Sequence, residues 1–151
     1  MTPGGTNTIP TEEMVSESPK TAALSLEQQG DGTVNVVVDA GAGTVSAVQL
    51  ALSFDPGVLE NVQIKKGTYF VSPFELINLV DSTKGTITYA IGISPSGRPQ
   101  GGKGVVAQIT YNAKQGVTSQ TRLDFLPQTK VTSEGIDSSV LQNPQGISIR
   151  L

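Results

Sequence analysis

The stretch 45–54, VSAVQLALSF, alternates apolar with small or polar residues at period two for longer than any other segment of the chain. Val48, Leu50, Leu52 and Phe54 share one face, and Ala47, Gln49, Ala51 and Ser53 share the other. Successive side chains of an extended strand point to opposite sides, so this pattern buries one clean face as a strand and none as a helix. The same period returns along the chain. Leu24 and Leu26 carry it first, then Val34, Val36 and Val38, then Val62 and Ile64. Ile87, Tyr89, Ile91 and Ile93 follow, then Val105, Ala107, Ile109 and Tyr111, then Leu123 and Phe125, and last Ile147, Ile149 and Leu151.

Turn chemistry separates these runs. Gly30-Asp31-Gly32 suits a tight hairpin, 40–44 (AGAGT) is a loop of small residues, and Asp55-Pro56-Gly57 places Pro where a turn presets φ. A Gly/Pro loop over 95–104 and Pro127 break the later runs. The segment 68–83 is the least periodic; it holds Tyr69, Phe70, Pro73 and Phe74, with a short strand read over 76–80. About nine short strands at spacings near ten residues predict an all-β, two-sheet sandwich. Residues 1–20 combine Pro, Thr and Ser with no apolar period, so they are expected to be a linker or tail, with Met14 and Val15 as a short edge strand the alternative. The domain is read as 21–151.

Composition removes whole classes of chemistry. The 151 residues include no Cys, His or Trp. Disulfides, thiolate and imidazole metal sites, thiol nucleophiles and serine–histidine triads are therefore excluded. A net charge of −3 supplies no basic footprint for nucleic acid. No apolar run approaches the roughly 20 residues of a spanning helix.

The remaining candidates each have a plain structural reading. Asp55 is expected to be a turn residue, and Glu12-Glu13 a solvated pair in the tail. Glu134 and Asp137 share a loop, but two carboxylates fall short of the oxygen set a hard cation takes. Tyr69, Phe70 and Phe74 would stack on sugar rings if coplanar and exposed; otherwise they cap the core. The sequence 97–104, GRPQGGKG, lacks the Ser/Thr that follows Lys in a phosphate-binding loop. The small outward face of 45–54, with Thr86, Thr88, Ala90 and Gly92, would let another element approach closely. A protein partner, a covering loop and a ligand all remain open there.

The segment VSAVQLALSFDPGVLENVQIKKG resembles the signature of cohesin modules, and the likeness continues through KGTITYAIGIS, GGKGVVAQITYNAK, LDFLPQTKV and GISIRL. It spans roughly 22–151. The resemblance implies a nine-stranded sandwich of jelly-roll topology that catalyses nothing and needs no cofactor. It implies a dockerin as partner, a small helical module whose EF-hand-like loops carry the calcium. It also implies a secreted or cell-surface parent protein, of the scaffoldin kind found in cellulosomes, with the module itself monomeric. In cohesins one flat sheet face, from strands three, five, six and eight, receives the dockerin helix. Carried onto this sequence, that face comprises Ala47, Gln49, Ala51, Thr88 and Ala90, with Leu126 and Gln128. Ala47 and Gln49 match positions where well-known family members place Asn and Asp, so a face poor in charge is expected. The rival readings are a carbohydrate-binding module, with polysaccharide as ligand, and a structural or adhesin sandwich. An enzyme is the weakest reading, since no acid pair is nominated.

Overall fold

The computed structural model describes residues 21–116, 119–133 and 139–151. The tail 1–20, with Glu12, Glu13, Met14 and Val15, and the loop acids Glu134 and Asp137 lie outside the described residues. Among the described residues there are ten strands and no helix. They are β1 (Ala23–Gln28), β2 (Thr33–Asp39), β3 (Ala47–Phe54), β4 (Leu59–Lys66) and β5 (Phe74–Asp81), followed by β6 (Thr86–Gly92), β7 (Lys103–Ala113), β8 (Gln120–Phe125), β9 (Lys130–Thr132) and β10 (Ile147–Arg150).

Two antiparallel sheets face one another in a jelly-roll sandwich. One has the order β1-β2-β7-β4; the other runs β10-β8-β3-β6-β5, with β9 also paired to β3. The count is ten rather than nine because Pro127 separates β8 from β9, and the two pieces pair with different halves of β3. Phe125 to Leu123 lie opposite Leu52 to Phe54, and Lys130 to Thr132 lie opposite Gln49 to Ala47.

The period-two faces become the core. Leu24, Leu26, Val34, Val36, Val38, Val48, Leu50, Leu52, Ile87, Tyr89, Ile91 and Ile109 are all buried between the sheets. Burying a large aliphatic side chain contributes about 1.5–3 kcal/mol, and the two inner faces supply many. One parity differs from the alternation. A bulge between Val36 and Val37 shifts the β2/β7 register, and Val106 rather than Val105 is buried.

The turns follow their chemistry. The Asp55 carboxylate accepts a hydrogen bond from the Gly57 N–H at 2.8 Å, and its carbonyl accepts from Val58 and Leu59 N–H, so this acid shapes a turn. Gly85, at φ 76°, accepts a hydrogen bond at its carbonyl from the Phe54 N–H; a Cβ there would collide with the Phe54 carbonyl. That close approach fixes the β5–β6 hairpin against the end of β3.

Candidate functional site

The outer face of the β3-containing sheet is laid out in rows by its register. The first row holds Thr132, Ala47, Gly92 and Phe74, contributed by β9, β3, β6 and β5. The second holds Lys130, Gln49, Ala90 and Ile77. The third holds Ala51, Thr88 and Leu79, and the fourth holds Asp124 of β8, Ser53, Thr86 and Asp81. Residues opposite one another in antiparallel strands project to the same side, so each row is a line of neighbouring side chains.

Five of the seven residues singled out in the sequence line one shallow depression of about 340 Å³: Gln49, Ala51, Thr88, Leu126 and Gln128. Lys84 and Thr86 complete its rim. Leu126 and Gln128 reach it through the β8–β9 connection, whose Leu126 N–H donates to the Ala51 carbonyl at 2.7 Å. The Gln49 amide donates to the Gln128 carbonyl at 3.4 Å. Ala90 stands beside Gln49, and Ala47 beside Gly92, in the adjoining rows. A Cβ added to Gly92 would meet the Ala47 Cβ at 3.2 Å, so glycine keeps that corner low.

Ala51 and Ala90 are themselves covered by their neighbours. They form a floor, and the surface above it belongs to larger residues. The sequence reading missed the chief of these. Phe74, Ile77 and Leu79 of the edge strand β5 are 52%, 41% and 61% exposed, in three successive rows on the same face. They make an apolar ridge along one side of the floor. A bulge between Glu75 and Ile77 hides this from a period-two reading, because it changes parity in mid-strand and puts Phe74 and Ile77 on one side. The abundance of apolar residues in FELINLV was the signal available.

The other side of β5 holds the edge strand down. The Tyr89 hydroxyl donates to the Glu75 carboxylate at 2.5 Å, and the Asn78 amide donates to the Ile64 carbonyl of the facing sheet at 2.9 Å. Burial and the Glu75 carboxylate together push the Tyr89 phenol far above its ordinary range. At the far end of the face, Asp81 Oδ1 accepts from the Thr83 and Lys84 N–H groups, each at 3.0 Å. Those bonds, led by Lys84, hold its carboxyl below the usual range. Asp124 is engaged by Arg122 at 2.6 Å, an exposed pair of small energetic weight.

The aromatic platform considered for sugars does not form. Tyr69 and Phe70 are buried, in edge-to-face contact with ring centroids 5.1 Å apart, and the Tyr69 hydroxyl donates to the Gln100 carbonyl at 2.9 Å. Only Phe74 of the three faces outward. Among the described residues no three His, Cys, Asp or Glu side chains cluster as metal ligands.

The family model for the cohesin domain matches residues 25–149, nearly the whole of the described sandwich. The chain belongs to the cohesin family. Solved cohesins share its fold at low sequence identity. The cohesin CaCohA2 of Clostridium acetobutylicum is 17% identical, with 88% of this chain and 92% of that one covered and a TM-score of 0.66. The OlpC cohesin of Clostridium thermocellum, solved in complex with the dockerin Doc435, is 12% identical over 88% and 95%, at 0.68. The sixth cohesin of Acetivibrio cellulolyticus scaffoldin B, solved with a Cel5 dockerin, is 13% identical over 89% and 99%, at 0.65. No curated protein sequence matches the chain. Cohesins are non-catalytic interaction modules found in cellulosome scaffoldins, and that is the setting in which the ridge and floor are to be read.

Proposed function

We propose that this cohesin binds a dockerin on the outer face of the β3-containing sheet. Ala47, Gln49, Ala51, Thr88, Ala90, Leu126 and Gln128 form the floor and one rim, and Phe74, Ile77 and Leu79 form the apolar wall. The observation that carries the reading is the ridge itself. Three large apolar side chains stand exposed in register beside a floor of Ala and Gly. Contiguous exposed apolar side chains of this kind mark interaction surfaces. The floor lets a helix approach closely, and the wall gives its apolar stripe something to pack against. Structural neighbours solved with dockerins support the choice of partner.

Recognition on this reading is mainly apolar. Gln49 is the central polar group, and its amide is already turned toward Gln128. The calcium resides on the dockerin, and this chain contributes no cofactor and no catalysis. Residues 21–151 act as the module and 1–20 as its linker, within an extracellular or cell-surface protein, and the module is monomeric until it docks.

The test is a pull-down of dockerin-bearing proteins in calcium, eluted by a chelator, followed by calorimetry on the partner obtained. Ala51→Arg and Ala90→Arg are expected to abolish binding at some cost in melting temperature, since both alanines are covered, while the circular dichroism keeps its β-sheet form. Normal binding by either folded variant would place the partner on another face.

A further inference from the structure

Beyond Phe74 the ridge runs into a second feature. Val71, three residues upstream and 75% exposed, forms the lip of a pocket of about 400 Å³. Ser72, Ser94, Ser96 and Arg98 line it, with Gln100. Ser94 lies two residues past Gly92, so the pocket continues the first row of the face beyond its end. Its base is fixed. The Gln100 amide donates to the Tyr69 carbonyl at 3.0 Å, the Tyr69 hydroxyl donates back to the Gln100 carbonyl, and that carbonyl also accepts from the Val45 N–H. The Ser94–Gly97 turn is closed by a 2.8 Å bond from the Gly97 N–H.

The lining is unspent by comparison. Among the described residues the three serine hydroxyls and the Arg98 guanidinium make no hydrogen bond or ion pair within the chain. A guanidinium offers five donors in a planar fork suited to a carboxylate, and serine hydroxyls can complete the oxygen's shell. The opposite end of the face differs, for its carboxylates, Asp81 and Asp124, are already engaged by backbone N–H groups and by Arg122.

From this juxtaposition we infer that the pocket of Arg98, Ser72, Ser94 and Ser96 is a carboxylate site. It takes an acidic side chain from the end of the partner helix docked along the ridge. The inference rests on the proposed dockerin face and deepens it. An apolar ridge beside a small-residue floor accepts a helix in either direction, whereas a single cationic pocket at one end rewards only the direction that brings an Asp or Glu to it. Arg98 is in this sense a specificity-determining residue that sets the partner's polarity.

Two arms of one experiment separate the pocket from the docking face. In the first, sodium acetate is titrated into isotopically labelled protein and compared with sodium chloride at equal ionic strength. Acetate-specific NMR shifts at Ser94, Ser96 and the Arg98 side-chain N–H, lost in Arg98→Ala, are expected; identical responses to the two salts would overturn the site. In the second, dockerin affinity is measured for Arg98→Lys and Arg98→Glu. A charged hydrogen bond of this kind corresponds to about a tenfold to hundredfold loss for Arg98→Glu, with Arg98→Lys between it and wild type. Wild-type affinity in Arg98→Glu, with Ala51→Arg inactive, would leave the docking face standing and overturn the partner's acid. Failure of every dockerin to bind the native chain would overturn the docking face together with the partner's acid, while the acetate arm still decides the pocket on its own.

Discussion

The Thr129 hydroxyl bonds to both backbone polar groups of Ala51: it accepts from the Ala51 N–H at 3.0 Å and donates to the Ala51 carbonyl at 2.9 Å. Ala51 sits at the point where β3 passes from its pairing with β9 to its pairing with β8. A side chain thus stands in for the missing strand neighbour, and it does so directly beneath the candidate face.

Thr129→Val keeps the shape and removes the hydroxyl, leaving the Ala51 N–H buried without a partner. The expected cost is about 1–3 kcal/mol, the usual penalty for orphaning a buried donor, while Thr129→Ser retains most of the stability. Urea unfolding of the three proteins measures this directly. Equal midpoints for wild type and Thr129→Val would mean that water reaches Ala51.

The ridge separates binding from folding. Ile77 and Leu79 project from an edge strand into solvent, and surface substitutions of that kind alter stability by only about 0.5 kcal/mol. Ile77→Lys and Leu79→Lys are expected to keep the melting temperature and to weaken dockerin binding by about 2 kcal/mol or more, as central apolar anchors do. Calorimetry beside a thermal melt reads both quantities. Undiminished affinity in both variants would move the contact off β5.

All three tyrosines of the chain, Tyr69, Tyr89 and Tyr111, have phenols raised above the ordinary value of 10.0, each chiefly by burial. A raised phenol means that folding favours the neutral form. The stability associated with it is fully present below pH 10 and is lost as the pH climbs from there through the folded values. Tyrosinate absorbance is therefore expected to stay flat through pH 10 and to appear together with loss of the β-sheet circular dichroism at higher pH. A tyrosine ionising near pH 10 in an intact sandwich would contradict the burial of its ring.

Much of this arrangement was legible in the residues. Val48, Leu50 and Leu52, like Ile87, Tyr89 and Ile91, announced their buried side because unbroken strands keep parity. The same rule exposed Ala47, Gln49, Thr88 and Ala90 as one outward set, since β3 and β6 pair without a bulge. Where parity breaks, the reading failed. The β5 bulge concealed Phe74 and Ile77, and the β2/β7 bulge exchanged Val105 for Val106. The role of Thr129 was not readable at all, because it depends on which residue of a distant strand lacks a neighbour.

The bulge in β5 makes the outline of the ridge a matter of strand pairing as well as residue identity. Below it, Asn78, Val80 and their outward neighbours are held by pairing with β6 and by the bond to Ile64. Above it, the slip in pairing at Leu76 decides which side Phe74 faces. Pairing the same residues regularly, without the bulge, would turn Phe74 inward and bring Glu75 out, replacing an aromatic by a carboxylate at one end of the face without a substitution anywhere in the core. What the margin of such a sheet presents to a partner thus depends on where its pairing slips, which point-by-point comparison of aligned positions would overlook.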